Sequence, residues 1–137
     1  MADEIKTIKV IIKEPGKQAE VREIEDKYEN LSSIVDGLIE FTDIPFDGVE
    51  IICNEEYRVN QLPFNVILPE LKNYIGGTFL VVGSQNYDTV SVPEDKINEI
   101  VKYLNDNSLD PNNEDAAYDK FDELGIEVDP FIESWGW

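Results

Sequence analysis

The chain has 137 residues, with 30 acids, 11 bases and a formal charge of -19. That balance repels nucleic-acid phosphates and anionic lipid and attracts basic proteins or cations, so direct nucleic-acid or membrane binding is not expected. Histidine is absent and Cys53 is the single cysteine, which excludes Ser-His-Asp and Cys-His catalysis, His-ligated metals, thiolate-rich zinc sites and intramolecular disulfides.

Apolar residues make up 42% of the chain, enough for the core of one compact domain. No apolar run approaches the roughly 20 residues of a membrane helix. The start, Met1-Ala-Asp-Glu, lacks a basic stretch followed by an apolar one. A soluble, cytoplasmic protein is the expectation.

Lys6 to Lys13 alternates Ile8, Val10 and Ile12 with Lys9, Ile11 and Lys13, the period of a half-buried strand. Glu14-Pro15-Gly16-Lys17 suits a type II turn, and Ala19 to Ile24 then returns antiparallel. Between Glu25 and Asp36, residues Tyr28, Leu31, Ile34 and Val35 form one helical stripe, with Gly37 at the expected left-handed cap. A strand opens at Leu38 to Phe41. After a break at Pro45 and Asp47-Gly48, the apolar run Val49 to Cys53 predicts a central strand buried on both faces. Arg58 to Gln61 reads as a short extended piece. Leu62 to Tyr74 contains Pro63 and Pro69 and reads as irregular, with one helical turn at Pro69 to Asn73. Gly76-Gly77 and Gly83 bracket Thr78 to Val82, a second central strand.

Ser91-Val92-Pro93-Glu94-Asp95 is a helix start, and Ile97, Ile100, Val101 and Leu104 form that helix's apolar face. Asn105 to Asn113 reads as a polar linker. A last helix is expected over Glu114 to Leu124, with Ala117, Phe121 and Leu124 inward and Gly125 stopping it. The predicted fold is α+β, a mixed, mainly antiparallel sheet of about five strands with two to three packed helices. Residues 1–104 would form the α+β domain and 105–137 an acidic helical extension packed on or beside it.

The segments Lys13-Glu14-Pro15-Gly16-Lys17, Glu20-Val21-Arg22-Glu23-Ile24, Ile34-Val35-Asp36-Gly37-Leu38-Ile39-Glu40, Asn54-Glu55-Glu56, Leu62-Pro63-Phe64-Asn65 and Gly76-Gly77-Thr78-Phe79-Leu80-Val81-Val82-Gly83 follow one another in order. Over residues 9–104 this order resembles the domain-of-unknown-function 3846 family of bacteria, phages and mobile elements. In this chain Asp36-Gly37 stands where family members commonly show two glycines. The resemblance implies a phage or mobile-element setting and carries no catalytic role, cofactor or metal to any residue. The region after Leu104 lies outside it.

Motifs for chemistry are weak. The glycines flank a strand, whereas a phosphate-binding loop needs them between a strand and a helix, so backbone turning is their expected role. A calcium loop opening at Asp106 would have Pro111 at its sixth position and Ala117 at its twelfth; one opening at Asp110 would have Asp115 and Phe121. Neither frame fits. Carboxylate pairs such as Glu55-Glu56 and Asp119 with Glu123 read as solvated surface, and Cys53 in an apolar strand reads as packing. Leu62, Phe64 and Asn65, with Gly76 and Gly77, either line a small-ligand pocket or form a lid with Leu62 and Phe64 packed inward. The lid is preferred.

From Asn105 onward there are ten acids against one base, Lys120, and the chain ends with Phe131, Trp135 and Trp137. Asp115, Asp119, Asp122 and Glu123, with those aromatics as anchors, are the candidate partner-binding residues. The competing reading folds the aromatics onto the domain and leaves the acids in water. The functional expectation is a non-enzymatic accessory protein, without cofactor, that binds a basic host protein, in one form as a DNA mimic against a host-defence or nucleic-acid-handling protein. The alternative is a protein that sequesters a small, nucleotide-like signal.

Overall fold

The structure is a computed structural model and describes residues 6–128. The candidates Phe131, Trp135 and Trp137 lie outside the described residues. Strands β1 (Thr7–Lys13) and β2 (Glu20–Glu25) pair antiparallel, with Ile11 opposite Val21. Their turn is of the expected kind: Gly16 has φ +76°, and the Lys17 N–H donates to Glu14 O at 3.1 Å. β1 is buried on one face near its start but on both from Val10 to Lys13. The simple alternation underestimated it, because a second sheet covers the other face.

Helix α1 (Tyr28–Val35) turns Leu31 and Val35 inward. Its left-handed cap is Asp36 (φ 60°, ψ 47°) rather than Gly37. Asn54 gives the reason. Its Nδ2 donates to the carbonyls of Val35 and Asp36, both at 3.1 Å, and so satisfies helix-end acceptors. A Cβ on Gly37 would lie 2.6 Å from that nitrogen, so glycine is needed one residue later for close approach.

Strands β3 (Ile39–Thr42) and β4 (Val49–Asn54) follow, and β4 is buried at Val49 and from Ile51 to Asn54. Arg58 to Gln61 is not extended: the Asn60 N–H donates to Glu56 O, the Leu62 N–H to Tyr57 O, and Gln61 has φ 51°. Leu62 to Tyr74 is also more regular than expected. It holds β5 (Phe64–Leu68) and one 3-10 turn (Pro69–Leu71), and it leads into β6 (Asn73–Gly76). Pro63 and Pro69 sit just outside β5, where a missing N–H costs no ladder bond.

Strand β7 (Phe79–Gln85) continues through Gly83 and turns into β8 (Asp88–Val90). Gly83 therefore does not end the strand. It pairs with Val49 and Val90, and a Cβ there would lie 2.1 Å from the Ser91 carbonyl oxygen. At this point β7 parts from β1, and the β8 segment enters between them: the Val92 N–H donates to Lys9 O and the Lys9 N–H to Ser91 Oγ, both at 2.9 Å. A 3-10 turn (Glu94–Lys96) opens α2 (Ile97–Asp106), and α3 (Glu114–Leu124) ends at Gly125 with φ 71°.

The main sheet has the order β2-β1-β7-β4-β3, with β8 added to β7, and every pairing is antiparallel. α1 covers one face over Val10, Ile12, Ile52, Leu80 and Val82. The other face, carrying Ile11, Ile51, Cys53, Phe79 and Val81, packs with the β5–β6 sheet, Ile100 and Leu104 of α2, and Phe121 of α3. The segment between α2 and α3 is more than a polar linker. Ser108 bridges Val66, the Leu109 N–H donates to Asn65 O at 2.7 Å, and Leu109 is buried.

Candidate functional site

Four of the candidate partner residues lie on α3. At 3.6 residues per turn, Asp115, Asp119, Asp122 and Glu123 fall within about 100° of one another on the helix, opposite Ala117 and Phe121. Phe121 holds the inner face, its ring 5.2 Å from Phe64 and 5.1 Å from Tyr74 between centroids. All four carboxylates are exposed, and among the described residues none of the ion pairs involves them.

Local forces do not favour that stripe. Asp115 with Asp119, and Asp119 with Glu123, are like charges at i,i+4, which destabilise a helix by a few tenths of a kcal/mol each. Asp122 and Glu123 also sit at the negative end of the helix dipole. Glu114 and Asp115 are favourable in the first turn, where the Asn113 side chain caps the helix by accepting from the Ala116 N–H at 3.2 Å. Tyr118, 47% exposed, flanks the carboxylates with its ring edge-on to Phe64 at 5.5 Å. Sequence reading overlooked this aromatic, although its place one residue from the inward Ala117 put it at the border of the two faces.

The pocket candidates do come together. Phe64 pairs with Gly76, the Asn65 Nδ2 donates to Gly77 O at 2.8 Å, and the Gly77 N–H donates to Pro63 O at 2.8 Å. The space between them is occupied by the chain itself. A Cβ on Gly77 would lie 2.7 Å from Leu62 Cδ1, and one on Gly76 would lie 3.0 Å from the Leu62 carbonyl oxygen. Leu62 thus rests on the glycine pair as packing, and Phe64 points into the aromatic cluster.

Beneath this cover lies a buried polar network. Lys13 and Asn65 are both fully inaccessible. The Lys13 ammonium donates to Asn65 Oδ1 and Ser108 Oγ, each at 3.0 Å, and to Glu14 O at 3.1 Å, using all three of its protons. Asn65 Nδ2 returns a bond to Lys13 O at 2.9 Å. Burial pulls the Lys13 amine down to about 8, and the ammonium is closed to solvent within this network. A lysine in an alternating strand gave no sign of this in the sequence.

Cys53 is buried, with its thiol against Glu40 O at 3.7 Å. Burial, aided by the Glu40 charge and opposed by Arg58, pushes that thiol up to about 12, as unreactive packing requires. Among the described residues no group of three or more acids or cysteines is placed to hold a metal ion, and no helix is long and apolar enough to cross a membrane. A shallow depression at the start of α3 is lined by Pro111, Asn112, Asn113, Glu114 and Asp115.

No curated protein and no solved structure matches the chain. Residues 8–105, from the second residue of β1 to the last but one of α2, match the domain of unknown function DUF3846. That span holds both sheets but stops short of α3, so the acidic stripe lies outside the matched region although Phe121 belongs to the same core. The chain belongs to the DUF3846 family.

Proposed function

We propose that this protein is a non-enzymatic phage or mobile-element accessory protein whose α3 face binds a basic host protein, acting as an acidic mimic of a nucleic-acid backbone. The observation that carries the reading is the exposed stripe of Asp115, Asp119, Asp122 and Glu123, without ion-pair partners among the described residues. At a rise of about 1.5 Å per residue, four charges from Asp115 to Glu123 span about 12 Å. The linear density, roughly one charge per 3 to 4 Å, is that of one strand of duplex DNA, about one per 3.4 Å. Repulsion along the stripe and the helix dipole at Asp122 and Glu123 work against helix stability, so local helix energetics do not account for these four acids. Tyr118 beside it offers the aromatic anchor such interfaces favour.

The target class is a host nuclease, restriction enzyme or other nucleic-acid-handling protein with a basic groove. The test is competition: the purified protein should displace duplex DNA from such an enzyme, with affinity falling steeply as salt rises. Neutralising the stripe (D115N/D119N/D122N/E123Q) should weaken displacement at least tenfold while leaving the melting temperature unchanged or higher. Displacement unaffected by the quadruple change, or indifferent to salt, would refute the reading.

A further inference from the structure

The tip of the β7–β8 hairpin is built in an unfavourable way. Gln85 pairs with Asp88, so Asn86 and Tyr87 are the two central turn residues, with φ 52° and φ 68°. Positive φ at both positions defines a type I′ turn, whose preferred pair is Asn-Gly. Asn86 conforms. Tyr87 stands where glycine belongs, in a left-handed conformation that is unfavourable for a bulky side chain. Its side chain is also fully exposed, so no burial offsets that cost. The base of the hairpin is firm, because β7 lies between β1 and β4 at the centre of the main sheet.

A strained, fully exposed aromatic on a rigid support is the form of a contact residue. The chain itself shows what its tyrosines can hold. Inside the fold, the Arg58 guanidinium lies 4.6 Å from the Tyr74 ring centroid and 5.3 Å from that of Tyr57, with an N–H donated to the Asn73 side-chain oxygen. Two tyrosine rings and one side-chain oxygen thus share a single guanidinium, a group whose planar face and N–H edge suit the two kinds of partner. At the hairpin tip, Tyr87 offers a ring and the next residue, Asp88, a carboxylate that adds charge to the same pairing. With -19 on the chain, a cationic side chain is the complement.

We propose that the Tyr87–Asp88 tip of the β7–β8 hairpin is an arginine-binding contact for a protein partner. It rests on the reading above that the partner is basic, and it adds a second point of attachment away from α3 and a preference for arginine over lysine, since a lysine ammonium lacks the planar face that stacks on the ring.

The test uses the full chain and two probes, octa-arginine and octa-lysine peptides, titrated at near-physiological salt. The wild type should bind octa-arginine more tightly. Y87G should lose about three- to fivefold in affinity for octa-arginine, the range of an exposed cation–π contact, and less than about twofold for octa-lysine. Y87F should keep most of the preference, and D88N should lose part of it. Because glycine relieves the left-handed turn, Y87G should melt at the same temperature as the wild type or a few degrees higher, so a loss of binding is not a loss of fold. Equal losses for both peptides, or none for either, would overturn the proposal. Neutralising the α3 stripe should weaken both peptides by a similar factor and leave the arginine preference intact. An α3 variant that changes neither, beside a Y87G variant that loses the preference, would remove the α3 reading and keep this one.

Discussion

The Nζ of Lys13 lies 3.0 Å from Oδ1 of Asn65, and neither side chain has any surface in contact with solvent. The pair joins the end of β1 to the start of β5, and Ser108 Oγ, 3.0 Å from the same ammonium, brings in the segment that carries α3. Each Asn65 side-chain atom is used: Oδ1 accepts from Lys13, while Nδ2 donates to the carbonyls of Lys13 and Gly77. The two sheets and the segment between α2 and α3 meet at one satisfied polar cluster.

Removing the two partners should not cost the same. Asn65→Leu leaves a buried cation short of an acceptor and two buried carbonyls short of donors, a loss of about 3 to 5 kcal/mol. Lys13→Met removes the buried charge itself and should cost less, about 1 to 2 kcal/mol. Urea unfolding of both variants orders them. Equal or negligible losses would show that the network does not fasten the sheets.

The same lysine dictates a pH dependence. Its amine falls from 10.5 to about 8 on folding, with burial as the cause. Between those values the unfolded chain binds the proton and the folded chain does not, so Lys13 makes stability rise with pH across about 8 to 10.5. Tyr57 and Cys53, both raised by burial, act in the opposite direction at high pH. Those groups are present in K13M as well and cancel in a comparison. From pH 7 to pH 10, the wild type should therefore gain about 2 kcal/mol on K13M. A constant difference across that range would contradict a buried, depressed lysine.

Cys53 should be silent in the native state. A thiol held at about 12 rather than 9.0 has about a thousandfold less thiolate near neutral pH, before its lack of access is counted. A chromogenic disulfide reagent should label it only in denaturant. Native labelling at the rate of a free peptide thiol would mean that β4 opens readily.

Gly83→Ala should be the most damaging of the glycine substitutions in the sheet. Its Cβ would meet the Ser91 carbonyl oxygen, a backbone atom, at 2.1 Å, whereas at Gly77 the cost is the left-handed φ of +74° together with the end of the Leu62 side chain at 2.7 Å. Loss of at least about 3 kcal/mol is expected for G83A, since the backbone of β7 must separate from that of Ser91, just after β8. Thermal unfolding of G83A beside G77A checks the order.

The legible parts of the fold were those written in local pattern. Alternation and the Pro15-Gly16 turn marked the β1–β2 hairpin, the run Val49 to Cys53 marked a buried strand, and Gly125 marked the end of α3. The hairpin of β5 and β6 escaped notice because all five β5 residues are buried, Asn65 among them, so no alternation is left to see. β8 is three residues long and has too little sequence to show a period. The left-handed cap was placed one residue late because the need for glycine at position 37 comes from Asn54, seventeen residues away.

For the candidate site the division is similar. The acidic residues and their helix could be read directly, since charge is a matter of composition and α3 is periodic. Their sharing one outward face follows from helical geometry once Ala117 and Phe121 are known to point inward, and it took the aromatic cluster of Phe64, Tyr74 and Phe121 to establish that. The exposure of Tyr118 and Tyr87 and the left-handed backbone of Tyr87 come only from the tertiary structure.

By itself, then, the sequence determined the charge, the absence of histidine, the single cysteine, the family and most of the secondary structure, because these depend on residue types and short-range spacing. The tertiary structure alone decided that Leu62 fills the space over Gly76 and Gly77, that Lys13 is a buried fastener, and that Gly83 marks a fork in the sheet. Each of those depends on atoms brought together from distant parts of the chain, and contact of that kind leaves no local pattern to read.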